Sequence, residues 1–202
     1  MAARGKAGYP PEIAPFVTHR WLPERERVAL LVIDMQEYFR PLAGGIVERV
    51  RDLLGAFRRA QLPVVFTAHG HKDPRRDGGM LARWWGEVIQ EGTFDHRFME
   101  EVAPREGEKV IKKRRYSAFF ATELEDYLRA KGVQDLVISG VMTNLCCETT
   151  ARDAFMRDFR VFFLHDATAT ADPELHLASL KNLAYGFAVI LSVEELMQAL
   201  GL

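Results

Sequence analysis

Three separated residues carry groups able to act on a polar bond, and each stands at the end of a strand-like run. Asp34 follows Val28-Ala29-Leu30-Leu31-Val32-Ile33, Lys113 follows Lys109-Val110-Ile111-Lys112, and Cys146 lies just beyond Leu136-Val137-Ile138-Ser139-Gly140-Val141. A thiolate can attack a carbonyl, a carboxylate can take and return a proton, and an ammonium can hold negative charge in place. Helical spacing from Glu148 onward (Thr149, Ala151, Ala154, Phe155, Met156) puts Cys146 in a first helical turn, with Thr143 or Asn144 as its cap. Unpaired N–H groups and the positive end of the helix dipole there would lower the thiol pKa and populate the thiolate. The adjacent Cys147 points about 100° further round a helix, so one thiol is expected in a site and the other in packing. Taken singly, each residue has a plainer role: a buried cysteine packs, an Asp after a strand caps a turn, and Lys112, Lys113, Arg114 and Arg115 form a solvated basic face.

What could bring them together is alternating strand and helix. Residues 28–33 form a continuous apolar run, the pattern of a parallel strand covered on both faces. Ile46, Val47, Val50, Leu53, Leu54 and Phe57 recur at helical spacing over residues 45–60, and Pro63 precedes a second strand, Val64-Val65-Phe66-Thr67-Ala68. Residues 109–112 form a third strand, residues 122–131 a helix closed by Gly132, and residues 136–141 the strand before the cysteine turn. Val161-Phe162-Phe163-Leu164 is a fifth strand ending at His165-Asp166-Ala167, with His165, Asp166 and His176 assigned to loops and caps. Pro173 starts a helix that Gly186 ends, and Ala188-Val189-Ile190-Leu191 and residues 193–200 complete the alternation. The fold class expected is α/β, a single-domain three-layer sandwich with a six-stranded, mainly parallel, Rossmann-like sheet. Right-handed crossovers would bring Asp34, Lys113 and Cys146 to one sheet edge.

Two stretches remain open. His69-Gly70-His71 follows the second strand and could ligate Zn²⁺, or simply be hydrogen-bonded loop residues. Residues 72–104 show no strong period, as in a lid, and there Trp84 and Trp85 would wall a pocket for a planar ligand or form a local core or subunit contact. Residues 1–27 contain Pro10, Pro11, Pro15 and Pro23 with Tyr9, Phe16 and Trp21, and read as an extended arm packing on its own domain or on a partner subunit; residues 28–202 form the domain proper.

The 202 residues suit one substantial core, and a formal net charge of −1 gives no reason to expect nucleic acid or an anionic membrane as partner. Two neighbouring cysteines give no disulfide framework and suit a reducing compartment, and no apolar run is long enough to span a bilayer, so a cytoplasmic protein is expected.

Gly140-Val141-Met142-Thr143-Asn144-Leu145-Cys146, with Thr149-Thr150-Ala151-Arg152-Asp153-Ala154-Phe155-Met156-Arg157-Asp158, resembles the nucleophile segment of the isochorismatase-like cysteine hydrolases. Asp34-Met35-Gln36 with Phe39, and Lys113-Arg114-Arg115-Tyr116-Ser117-Ala118-Phe119, resemble two further motifs of that family in the same order. The resemblance implies Asp34, Lys113 and Cys146 as catalytic residues, and it is what selects Lys113 over the neighbouring Lys112; it also implies a cis peptide between Val141 and Met142 and backbone oxyanion donors at Met142 and Cys146. With the pocket reading of the tryptophans, it implies a substrate pocket at Gln36, Phe39, Trp84, Trp85 and Tyr116. It further implies hydrolysis of a small carboxamide through a thioester, with no cofactor required, and a homodimer or larger oligomer. In the nicotinamidases, which the segment Asn144 to Thr150 most resembles, an Asp-x-His metal motif stands where this chain has His69-Gly70-His71. Two other functions are carried alongside: vinyl-ether hydrolysis as in the isochorismatases, which typically carry glycine at the position of Cys146, and a non-catalytic ligand-binding or redox-sensing domain.

Overall fold

The computed structural model describes residues 10–202. In chain order the elements are β1 (Val28–Ile33), α1 (Arg40–Ala43), α2 (Val47–Arg59), β2 (Val64–His69), α3 (Pro74–Asp77), α4 (Gly79–Trp85), β3 (Lys109–Lys113), α5 (Leu124–Ala130), β4 (Asp135–Val141), α6 (Glu148–Phe155), β5 (Arg160–Ala169), α7 (Pro173–Gly186), β6 (Val189–Leu191) and α8 (Val193–Leu200). The strands form one six-stranded sheet in the order β3-β2-β1-β4-β5-β6, every pair parallel.

The uninterrupted apolar run of β1 is explained by layers on both of its faces. Val28, Leu30 and Val32 belong to a core with Val50, Leu53, Leu54 and Phe57 of α2 and Leu196 and Leu200 of α8. Ala29, Leu31 and Ile33 point the other way, into a core with Leu124 and Leu128 of α5, Ala151 and Ala154 of α6, and Leu180 and Leu183 of α7. Each large side chain buried there contributes about 1.5–3 kcal/mol of transfer free energy. The three-layer sandwich follows from that division.

Strand order reverses between β1 and β4. Chain direction runs outward from β1 to β3 on one side and from β4 to β6 on the other, and ligands in open parallel sheets sit beyond the strand ends at such a switch. Close approach there depends on Gly140: its φ is +109°, and an added Cβ would stand 2.1 Å from the Ile33 carbonyl oxygen.

One expectation is corrected. The fifth strand does not stop before His165; it runs to Ala169, because Ile138 pairs with Phe163 but Gly140 with Thr168, so a step of two on β4 answers a step of five on β5. Within this bulge Asp166 accepts a hydrogen bond from Val193 N at 3.0 Å, at the start of α8. The 72–104 stretch, which shows no strong period in the sequence, carries two short helices, α3 and α4.

Residues 1–9 of the expected arm, Tyr9 included, lie outside the described residues. The rest of the arm packs on its own domain: Ile13 is fully buried in the second core, Thr18 Oγ1 donates to the Ala184 and Tyr185 carbonyls, and Glu24 N donates to Asp135 at 2.6 Å. Among the described residues no helix is long and apolar enough to cross a membrane.

Candidate active site

At the end of β1 the chain turns sharply, with Asp34 at φ +50°, in the left-handed region that non-glycine residues adopt sparingly. The turn leaves the Asp34 carboxylate fully buried and accepting from Thr67 Oγ1 at 2.5 Å, while Asp34 N donates to the same hydroxyl at 3.1 Å. Thr67 lies on β2, between β1 and β3, so it ties the carboxylate to the sheet. Lys113 ends β3, two strands away and roughly 10 Å across the sheet. Its long side chain spans that gap: Nζ lies 2.7 Å from Asp34 Oδ2 and 3.2 Å from Cys146 Sγ, and it also donates to the Arg115 carbonyl at 3.1 Å. Neighbouring Lys112 is exposed, as strand alternation requires.

Beyond β4, Cys146 stands in a π-helical turn, Thr143–Cys147, not in the first turn of an α-helix. Leu145 N and Cys147 N both donate to the Met142 carbonyl at 3.1 Å, and the Val141–Met142 peptide is cis. Neither Thr143 nor Asn144 caps the helix with its side chain: Thr143 Oγ1 pairs with His176 Nδ1 at 2.9 Å, and Asn144 accepts from Thr170 Oγ1 at 2.6 Å.

The expectation of a resting thiolate is corrected as well. Burial pushes the Cys146 thiol up to about 12, although Lys113 pulls the other way; the nearby Asp34 carboxylate pushes up too. Burial also acts against the Lys113 charge, but Asp34 and then Cys146 hold its pKa up at about 12. The resting cluster is therefore a carboxylate–ammonium ion pair beside a neutral thiol. Cys147 is fully buried in the second core, and burial raises its pKa well above the ordinary value.

Cys146 opens onto a cavity of about 270 Å³. Of the residues expected to line it, Phe39, Trp85 and Tyr116 do, and Trp85 Nε1 donates to Tyr116 Oη at 2.8 Å. Trp84 does not; it is 76% exposed and faces a neighbouring hollow. Gln36 is fully buried away from the cavity, where its amide clamps His69: Oε1 accepts from His69 N at 2.8 Å and Nε2 donates to the His69 carbonyl at 3.0 Å and that of His96 at 2.9 Å. Sequence reasoning missed the apolar wall residues Leu42, Leu81, Val88, Ile89 and Leu145, and Tyr38 and Glu87 beside them.

His69 lines the cavity, with a pKa near 3 caused first by burial and then by the Lys113 charge. His71 is fully buried, its Nδ1 3.1 Å from Asp77 Oδ1, and its ring meets that of His69 edge-on at 5.2 Å. His69 Nδ1 and His71 Nε2 are buried without hydrogen-bond partners. Among the described residues, however, no three His, Cys, Asp or Glu side chains converge as metal ligands, and Zn²⁺ requires at least three from the protein. This donor set does not fit the metal that the His69–His71 spacing suggested.

The sequence of residues 28–195 matches the family model described as Isochorismatase domain. The chain is 45% identical over 188 residues to Nicotinamidase 3 of Arabidopsis thaliana, covering 92% of this chain and 94% of that protein. It is 32% identical to the Isochorismatase of Bacillus subtilis (strain 168), covering 89% of this chain and 60% of that one. Its fold is similar to that of a cysteine hydrolase from Pseudomonas syringae pv. phaseolicola 1448A (TM-score 0.85, 28% identity, 90% of this chain and 96% of the other). It is also similar to N-carbamoylsarcosine amidase from Thermoplasma acidophilum (TM-score 0.73, 30% identity, 84% and 98%). The chain belongs to the isochorismatase family of hydrolases, as a nicotinamidase-like member.

Proposed function

We propose that this protein hydrolyses the C–N bond of a small, flat carboxamide through a thioester on Cys146. The observation that carries it is the buried Asp34–Lys113–Cys146 cluster opening onto an apolar cavity with room for a ring and its amide. The 45% identity to a protein named a nicotinamidase supports nicotinamide as the first substrate to try.

With the thiol neutral at rest, Asp34 takes its proton as the sulfur attacks the carbonyl carbon, and Lys113 stabilises the charge that appears on sulfur. Backbone N–H groups of Met142 and Cys146, at the turn beginning at Val141, receive the oxyanion. Asp34 returns the proton to nitrogen as the C–N bond breaks, releasing ammonia. Water, deprotonated by Asp34, then attacks the thioester to give the carboxylic acid and restore the thiol. A nucleophilic thiol in this place favours amide chemistry over vinyl-ether hydrolysis, which needs none.

Residues 28–202 act as the hydrolase domain, with residues 1–27 as its arm; the family match over residues 28–195 supports the division. A cytoplasmic homodimer or larger assembly completes the proposal, supported by two free thiols and by exposed Trp84 and Phe120 beside the cavity. Sedimentation giving the mass of one chain at micromolar concentration would contradict the oligomer. Ammonia release from nicotinamide, pyrazinamide and benzamide by the purified protein, absent in Cys146→Ala, tests the activity; no turnover of any carboxamide would overturn it.

A further inference from the structure

Charge around the cavity is sparse and of one sign. Its walls are apolar or neutral, and His69, the one basic side chain among them, is kept uncharged by burial and by Lys113. Lys113 beneath is matched by Asp34, so the cluster under the substrate offers no free positive charge. Another cation, Arg115, lines the neighbouring hollow. Its guanidinium donates to the Asp77 carbonyl at 3.1 Å and the Arg114 carbonyl at 2.6 Å, and it lies against Gly79.

Glu87 is the exception. It lines the cavity from an exposed position, and among the described residues its carboxylate makes no hydrogen bond or ion pair. Its segment is fastened next to His69: His71 N donates to the Ile89 carbonyl and Glu91 N to the His71 carbonyl, both at 2.9 Å. An unpaired carboxylate is thus held at the rim of an apolar hole that has no lysine or arginine among its lining residues.

We propose that Glu87 makes the site selective by charge, admitting uncharged or cationic flat carboxamides and rejecting amides that carry a carboxylate. This rests on the carboxamide hydrolase assigned above and names its substrate class. An anionic substrate would have to leave water for a cavity with no cation to receive it, and pass a like charge on entry. Because Glu87 is exposed, its share of the selectivity is screened by salt, whereas exclusion by the apolar walls is not.

The test uses two pyridine carboxamides that differ only in bearing a nitro group or a carboxylate at the same ring position, since the two groups are close in size and shape. The kcat/KM ratio, neutral over anionic, is expected to be about tenfold or more at low ionic strength, from one like charge at the rim. It should shrink in high salt, fall in Glu87→Gln to the salt-insensitive remainder set by the apolar walls, and fall further in Glu87→Lys. A wild-type ratio near one, or a ratio that Glu87→Gln and Glu87→Lys leave unchanged, would overturn the proposal. Calorimetric binding of the same pair to Cys146→Ala reads the charge preference without turnover, so loss of the hydrolase assignment and loss of the charge selection give different results.

Discussion

Lys113 Nζ lies 2.7 Å from Asp34 Oδ2 with both side chains fully buried, and the same nitrogen is 3.2 Å from Cys146 Sγ. One ammonium therefore compensates the base and stands ready for the charge that forms on the nucleophile. Removing it, as in Lys113→Met, leaves a buried carboxylate unpaired and is expected to cost about 3–5 kcal/mol of stability. It should also lower kcat far more than it raises KM. Urea unfolding and steady-state kinetics check both; a Lys113→Met protein of native stability and turnover would show the pair to be idle.

The thiol titration has a definite sign. With its folded pKa near 12 against about 8.5 for a free cysteine, Cys146 favours the folded protein while it is protonated. That contribution is complete below pH 8.5 and is lost as pH rises toward 12. Without substrate, iodoacetamide labelling of Cys146 should be slow at pH 7 and rise about tenfold per unit with no plateau below pH 10. A plateau at pH 6, mapped to Cys146 by peptide mass spectrometry, would mean that the thiolate forms at rest.

His69 titrates with the opposite consequence. Its pKa, near 3 in the fold against an ordinary value of about 6.5, makes stability complete above pH 6.5 and progressively lost below it, by up to about 1.4 kcal/mol per pH unit down to 3. His69→Gln should remove this acid sensitivity, as measured by thermal unfolding between pH 4 and 7. An unchanged pH dependence would place the proton uptake elsewhere.

Gly140 tests the architecture that places the site. Gly140→Ala would set a methyl group 2.1 Å from the Ile33 carbonyl oxygen, at a φ of +109°. The β1–β4 pairing, and with it the Asp34–Cys146 approach, would have to spread. A loss above about 4 kcal/mol, or failure to accumulate folded protein, is expected. Near-native melting of Gly140→Ala would contradict that contact.

The parts of this fold readable from the chain were those with a strong local signal. Continuous apolar strands such as residues 28–33 announced a sheet covered on both sides, and the helical period of residues 45–60 announced its cover. Parallel crossovers put Asp34, Cys146 and the end of the third strand on one edge, and the family motif chose Lys113 there over Lys112. What escaped depends on register or on contacts distant in sequence. Thr67, the link between Asp34 and β2, is a single hydroxyl in an apolar strand, and only the pairing of β2 with β1 gives it meaning. The π-helical turn and the high Cys146 pKa escaped because helical spacing resumes at Glu148 whichever turn precedes it, and because local dipole reasoning omits burial. Gln36 lay in a recognisable motif, but its partner is the His69 backbone, 33 residues away, so its role as a clamp was not legible.

The most direct test of the covalent mechanism is rapid acid quench of the enzyme during turnover of a carboxamide, followed by intact and peptide mass measurement. The account predicts an acyl increment, the mass of the substrate less ammonia, on the peptide carrying Cys146, absent from Cys146→Ala, which should also lose turnover by at least about a thousandfold. Acylation of another residue, or full hydrolysis by Cys146→Ala, would contradict it.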